Sequence, residues 1–282
     1  MARPGTLLLA AVATLAGLAL LATPAQAIQL APEEPHSPNA ESIELAYWVM
    51  IGLAVALLVG INLVLLAAVA RFRDRRGRRP SRFAAGRGAL RPVLGVLAAL
   101  AIAVFTFGVV VTEEVRDVEA SGPDGLDSTR SAQVGVKSVP ADPAPLEINA
   151  IAQQWLWRFE YPGGEPGQRT FSYGELVVPV DTAVILNIDS TDVIHSWWVP
   201  SLGGQVQAVP GSLPRTWFKA DEEGRYAGRS TIFSGSAYPV MRSWVRVVSA
   251  TEYEDYVSQL EADLGEAQDI VAEEQAGEAG GP

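Results

Sequence analysis

The chain has 282 residues, 49% of them apolar and 19% charged, which suits one medium domain plus membrane segments and is unlike a disordered or fibrous composition. Its formal net charge of -11 hides an asymmetry, because nine of the 21 basic residues are arginines between Arg71 and Arg91 and the rest of the chain is acidic. That distribution leaves no electrostatic footprint for nucleic acid, and the absence of cysteine leaves no thiolate for metal or redox chemistry.

Residues 1–27 have a basic start at Arg3, an apolar run from Leu7 to Ala22 and the small-residue site Ala25-Gln26-Ala27, a pattern that predicts a secretory signal peptide. The competing reading is an uncleaved first membrane helix, for which the apolar run is short. No cysteine follows the cleavage site, so a lipobox-type lipid anchor is not expected. Residues 28–44 read as an exposed external leader, with His36 as a solvated surface residue.

From Leu45 to Ala70 there are 26 residues without a charge, and from Pro92 to Val111 another 20, each long enough to cross a bilayer as a helix. Tyr47 and Trp48 fall at the outer edge of the first span, where interfacial aromatics belong. The arginine-rich segment 71–91 between the spans is cytoplasmic by the positive-inside rule, so everything after Thr112 faces outward. A patch for anionic lipid or nucleic acid is the alternative, but topology alone explains the arginines. Neither span has an ionisable interior residue, so no proton path through this chain is expected. Residues 112–145 are polar and rich in Gly, Pro and Ser, and read as a linker.

From Leu146 the runs LEINAIA, QQWLWRFEY, ELVVPV, AVILNIDS, VIHSWWV, RTWFKAD, GRYAGRSTIF and RSWVRVV are short, β-rich and broken by Gly, Pro, Asn and Asp. That is the pattern of a Greek-key sandwich of seven or eight strands over about 105 residues. After it, Thr251 is a candidate N-cap with Glu254 three residues on, and Tyr253, Tyr256, Val257 and Leu260 make an apolar stripe. A helix over about 252–264 is expected, followed by a fraying tail, within a 251–282 segment that has ten acidic residues and no basic one. That tail reads either as a solvated end or as a patch for a basic partner such as a cytochrome c.

The stretch DVIHSWWVPSLGGQVQAVPG and the segment from Gly228 to Met241 carry the chemistry. Together they resemble, without a gap, the copper-binding half of subunit II of cytochrome c oxidase. That family pairs a strand D-V-I-H-S-W with a loop G-x-C-x-E-x-C-G-x-x-H-x-x-M around a two-copper centre, CuA. On this alignment His195, Gly228, Gly235 and Met241 keep the family's residues. The two bridging cysteines fall on Ser230 and Ser234, the glutamate on Ile232 and the second histidine on Tyr238, so four of the six ligand positions differ.

CuA needs two thiolates, and a serine hydroxyl stays protonated near neutral pH and is a poor copper ligand. A mononuclear blue-copper site would also need a cysteine and two histidines. The expectation is a cupredoxin-like domain over 146–250 without copper, in which Ser230, Ser234 and Tyr238 form a hydrogen-bond network in the metals' place, while His195 and Met241 serve packing. The glutamate replaced by Ile232 also helps hold a magnesium or manganese ion in copper-bearing relatives, so that site is not expected either.

The run QQWLWRFEYP resembles the family's Q-W-Y-W-x-x-E-Y segment, whose first tryptophan receives the electron from cytochrome c. Trp155 takes that position, with Trp157 two residues on and thus on the same strand face. Packing is the favoured role for both, since an entry point has no use without an acceptor.

The resemblance covers nearly the whole chain and implies a membrane-anchored all-β protein: a two-helix transmembrane hairpin (45–111), a cupredoxin-like Greek-key β-sandwich and a C-terminal helix. It places the chain as a multi-pass protein of a bacterial plasma membrane, its large domain on the outer face. Within the superfamily it points to the quinol-oxidase branch, in which subunit II is structural. Partners would then be subunit I, which holds the haems and CuB, with subunit III and membrane lipids; quinol would bind through subunit I. The alternatives are a cytochrome c oxidase or nitric oxide reductase subunit fed through a haem on another subunit, and a stand-alone membrane-anchored binding module or assembly factor.

Overall fold

Two long apolar helices carry the first part of the chain. The structure is a computed structural model that describes residues 31–72, 87–123, 125, 144–163 and 169–279; the expected signal peptide, residues 73–86 of the arginine-rich segment and residues 126–143 of the linker lie outside them. Helix α1 is Pro38–Phe72 and α2 is Arg87–Arg116. Windows Pro38–Ala67 and Leu94–Arg116 have mean hydropathies of 2.8 and 2.7, and 30 and 23 residues. At 1.5 Å per residue these reach about 45 and 35 Å, enough for a hydrocarbon core of about 30 Å. Their polar side chains are satisfied within the helix: Asn62 donates to the Leu58 carbonyl at 2.7 Å, and Thr112 to that of Gly108 at 2.7 Å.

α1 starts seven residues before the expected span, and its first turn is packed against the outer domain. Pro38 suits a first helical position, Glu41 lies in the first turn, and Ser37, Asn39 and Ala40 are buried. His36 bridges the loops over residues 198–205 and 220–223, its N–H donating to the Ser201 carbonyl at 2.7 Å and its carbonyl accepting from the Asp221 N–H at 3.3 Å. Its ring lies 5.1 Å from that of Tyr226, with Nδ1 3.4 Å from Asp221 and 3.6 Å from Glu222. Burial and those two carboxylates push the Tyr226 phenol up to about 12.

The strands form a sandwich. One sheet orders β3 (Phe171–Tyr173), β2 (Leu156–Glu160), β1 (Leu146–Gln153), β5 (Ala183–Ser190) and β8 (Arg215–Lys219). The second orders β4 (Glu175–Pro179), β10 (Arg242–Val248) and β9 (Gly224–Arg229), and β6 (His195–Trp197) pairs with β7 (Val206–Ala208). β1 runs parallel to β5 and β4 to β10, so the chain crosses between sheets instead of making only hairpins. Strict alternation along β1 turns Leu146, Ile148, Ala150 and Ala152 inward, and they meet Trp157, Phe159, Leu176 and Val245 in one core. Burial in that core pushes the Tyr161 phenol well above its usual range, while its oxygen accepts the Val177 N–H at 2.9 Å.

Both helices end on the edge strand β8. Asn39 donates to the Trp217 carbonyl at 2.6 Å, and the Trp217 indole donates to the Val115 carbonyl at 2.8 Å. The Lys219 N–H donates to the Ser37 hydroxyl oxygen at 3.3 Å, and Lys219 Nζ pairs with Glu119 at 2.9 Å.

The C-terminal helix α3 is Ala250–Ala279, longer at both ends than 252–264. Its cap is Ser249, not Thr251: the Ser249 hydroxyl accepts from the Glu252 N–H at 3.3 Å and its carbonyl from the Tyr253 N–H at 3.0 Å. Tyr253, Tyr256, Val257 and Leu260 pack on the core as the stripe requires. The expected fraying tail is helical to Ala279, because its Ala, Glu and Gln residues are strong helix formers despite their low bulk.

Candidate functional site

The β9–β10 connection, residues 230–241, lies over β6 and the β1–β2 turn. His195 on β6 is fully buried, as is Met241 just before β10, and the two touch, imidazole Nδ1 to thioether sulfur at 3.2 Å. The other ring nitrogen, Nε2, is 2.8 Å from Asp192 Oδ1. Asp192 also accepts the Gln154 N–H at 2.7 Å and the Val193 N–H at 2.6 Å. Burial raises its pKa, but the hydrogen bonds from His195, Gln154 and Val193 outweigh that and hold the carboxyl below its ordinary range. An ionised Asp192 accepts only, so the proton of this contact sits on Nε2. Asp192 therefore orients the imidazole and joins it to the β1–β2 turn. Sequence reasoning assigned it no role, although its place three residues before His195 was visible.

The other ligand positions do not converge. The Ser230 hydroxyl donates to the Ile232 carbonyl at 3.4 Å, and Ile232 itself is half-buried. Tyr238 opens a short 3-10 helix, Tyr238–Val240, and its ring stacks edge-on with Phe233 at 5.4 Å. The Ser234 hydroxyl is buried without a partner, although its carbonyl accepts from Gln154 Nε2 at 2.8 Å and Trp155 Nε1 at 3.0 Å. The expected network of Ser230, Ser234 and Tyr238 does not form: Ser230 turns to local backbone and Tyr238 to the Phe233 ring, and the Ser234 hydroxyl bonds neither. Gly235 is required where it stands: its φ is +111°, and a Cβ there would come within 2.9 Å of Gln154 Nε2 and of the Trp155 ring.

The two tryptophans separate. Trp157 is buried, stacked on Phe159 at 6.5 Å and edge-on to His195 at 6.4 Å. Trp155 falls in the turn between β1 and β2, not on the strand face it was expected to share, and is 37% exposed against the loop.

This donor set does not fit a dinuclear copper centre. It offers one imidazole nitrogen and one thioether, while the bridging positions hold hydroxyls that keep their protons. Among the described residues no cluster of three His, Cys, Asp or Glu side chains could hold another metal. What the arrangement does is mechanical: Asp192, His195 and Met241 stitch β6, β10 and the β1–β2 turn together beneath the loop.

Residues 168–248 match the family model described as cytochrome C oxidase subunit II, periplasmic domain. The chain is 24% identical to cytochrome c oxidase subunit 2 of Cereibacter sphaeroides over 277 residues, covering 86% of this chain and 83% of that one. It is 35% identical to quinol oxidase subunit 2 of Bacillus spizizenii over 116 residues, 41% of this chain and 35% of that relative's length. Among solved structures, the periplasmic domain of subunit II of the Bradyrhizobium japonicum cytochrome oxidase is 28% identical, covering 42% of this chain and 95% of that one, with a TM-score of 0.40.

Proposed function

The chain belongs to the haem-copper oxidase subunit II superfamily, and from that premise we propose that it is the electron-inert docking subunit of a quinol-oxidizing terminal oxidase. Its membership supports a membrane-anchored protein with a periplasmic domain and a subunit I as partner. The carrying observation is the donor set: hydroxyls of Ser230 and Ser234 stand where thiolates would bridge two coppers, around a frame whose His195, Gly235 and Met241 are kept. Without a copper pair no electron dwells on this polypeptide, so reducing equivalents enter the complex elsewhere.

In this reading residues 1–27 are a cleaved signal, α1 and α2 are two spans packed on subunit I in a bacterial plasma membrane, and the outer domain caps the outward face of that subunit. Subunit III completes the complex, and the haems and CuB lie in subunit I. The clamp of both helix ends on β8 supports it, because a docking subunit has to hold its outer domain at a fixed angle to its anchor. A cytochrome c-fed oxidase is the second reading, favoured by the exposed acidic α3, which suits a basic carrier.

Oxygen uptake by the purified complex decides between them. The proposal predicts turnover with a reduced quinol and none above background with reduced cytochrome c. Turnover with cytochrome c alone contradicts it, and a chain that purifies without any haem-bearing subunit supports the binding-module alternative.

A further inference from the structure

The apolar run of α1 is broken once. Between Trp48 and Arg71, Asn62 is the only residue whose side chain can both donate and accept hydrogen bonds. It comes fourteen residues after Trp48 and nine before Arg71, so at 1.5 Å per residue it sits about 21 Å from the first level and about 13 Å from the second. That is well inside a hydrocarbon core of about 30 Å, where neither water nor lipid tails offer a partner. The bond to the Leu58 carbonyl takes one of its two amide hydrogens. Among the described residues nothing meets the other hydrogen or the amide oxygen.

The helix pair fixes its direction. α1 and α2 touch each other. On α2 the partly covered residues Leu100, Val104, Phe107 and Val111 recur at spacings of four and three, which is one helix face, and on α1 Ala46 and Leu53, seven apart, are partly covered as well. These are the faces the two helices turn to each other. Asn62 lies nine residues after Leu53, half a turn round at about 100° per residue, so it points away from α2. Ile51, Val55, Leu58, Leu66 and Val69 share its side, and all are exposed.

Polar side chains at such depth face protein and not lipid. Charge decides which protein. A second copy alongside in the same orientation would set the nine arginines of 71–91 against nine more, and one acidic outer domain against another. We propose that the Asn62 side of α1 docks on a membrane-spanning helix of the haem-bearing subunit, one that presents a hydroxyl, amide or indole donor to the Asn62 oxygen. The bond sets the height of the helix hairpin against that subunit, because a single buried amide between apolar helices fixes their register. The contacts of both helix ends with β8 pass that height on to the outer domain. The inference rests on the docking role proposed above and not on the electron donor.

The test is the stability of the purified complex in neutral detergent. Asn62→Leu raises the dissociation constant for the haem-bearing subunit about three- to fifteenfold, while Asn62→Gln, which keeps the amide, holds it within about twofold. Leucine suits lipid better than asparagine does, so an Asn62 that faced lipid would show no loss on that substitution. A benzophenone side chain placed at Val55 cross-links to the haem-bearing subunit, and one at Leu53 reacts within the chain. An Asn62→Leu complex as stable as the wild type overturns the inference and leaves the docking role standing, as does a Val55 cross-link to a second copy. A chain that purifies with no haem-bearing subunit overturns both.

Discussion

At the end of the sandwich that receives the helices, Trp217 closes two contacts across the length of the chain, accepting from Asn39 and donating to Val115. At the end that carries the β9–β10 loop, Ser234 buries a hydroxyl with no partner, while Phe233 and Val240 are each 73% exposed. At the first end buried hydrogen bonds tie Ser37, Asn39 and Trp217 to other elements. The second packs Gly235, His195 and Met241 around a buried hydroxyl that none of them bonds. The anchored end and the loop end of one domain thus differ in how fully their buried polar groups are partnered.

The largest effect that sharpens this contrast is Trp217→Ala. Removing a buried indole, and with it the Val115 contact, should cost about 3–5 kcal/mol, and Asn39→Ala, which strands a buried carbonyl, about 1–3 kcal/mol. Both are read by denaturant unfolding of the outer domain in the detergent-solubilised chain. A loss below about 1 kcal/mol at Trp217 would mean that the anchored end is no stiffer than an ordinary surface.

A pH titration comes next. The Asp192 carboxyl is held below its usual range, so its stabilising contribution is complete above the unfolded carboxylate value of about 4 and is lost as pH falls through the lower folded value. Asp192→Asn should lower the melting temperature near neutral pH and flatten its decline below about pH 4. An unchanged acid limb would show that the Asp192–His195 contact does not hold the loop.

The smallest effect is expected at Ser234→Ala. The hydroxyl it removes makes no hydrogen bond, so stability should change by less than about 0.5 kcal/mol, or rise. A loss of about 2 kcal/mol would reveal a bonded hydroxyl and a loop end as saturated as the other.

Much of this was legible in the sequence because it follows from local pattern. Uncharged runs marked α1 and α2, alternation marked β1 and β10, and the resemblance to oxidase subunit II put His195 and Met241 at one site. What escaped were long-range matters. His36 read as solvated because its partners Asp221 and Glu222 lie far along the chain. Trp155 read as a strand residue because nothing local marked the turn that sends it away from Trp157. The α3 tail read as frayed because low bulk was weighed above helix propensity, and Ser249 was passed over as a cap since it closes a strand. The supposed network of Ser230, Ser234 and Tyr238 rested on their shared neighbourhood in the loop, and nearer backbone and ring partners hold Ser230 and Tyr238 apart.

The central claim is that the frame is intact and the donors are gone. It is tested most directly by copper content and visible spectrum of the full-length chain after copper loading, beside Ser230→Cys/Ser234→Cys/Tyr238→His. The account predicts a colourless wild type without stoichiometric copper and a purple, dinuclear variant. A purple wild type with two coppers per chain would contradict it.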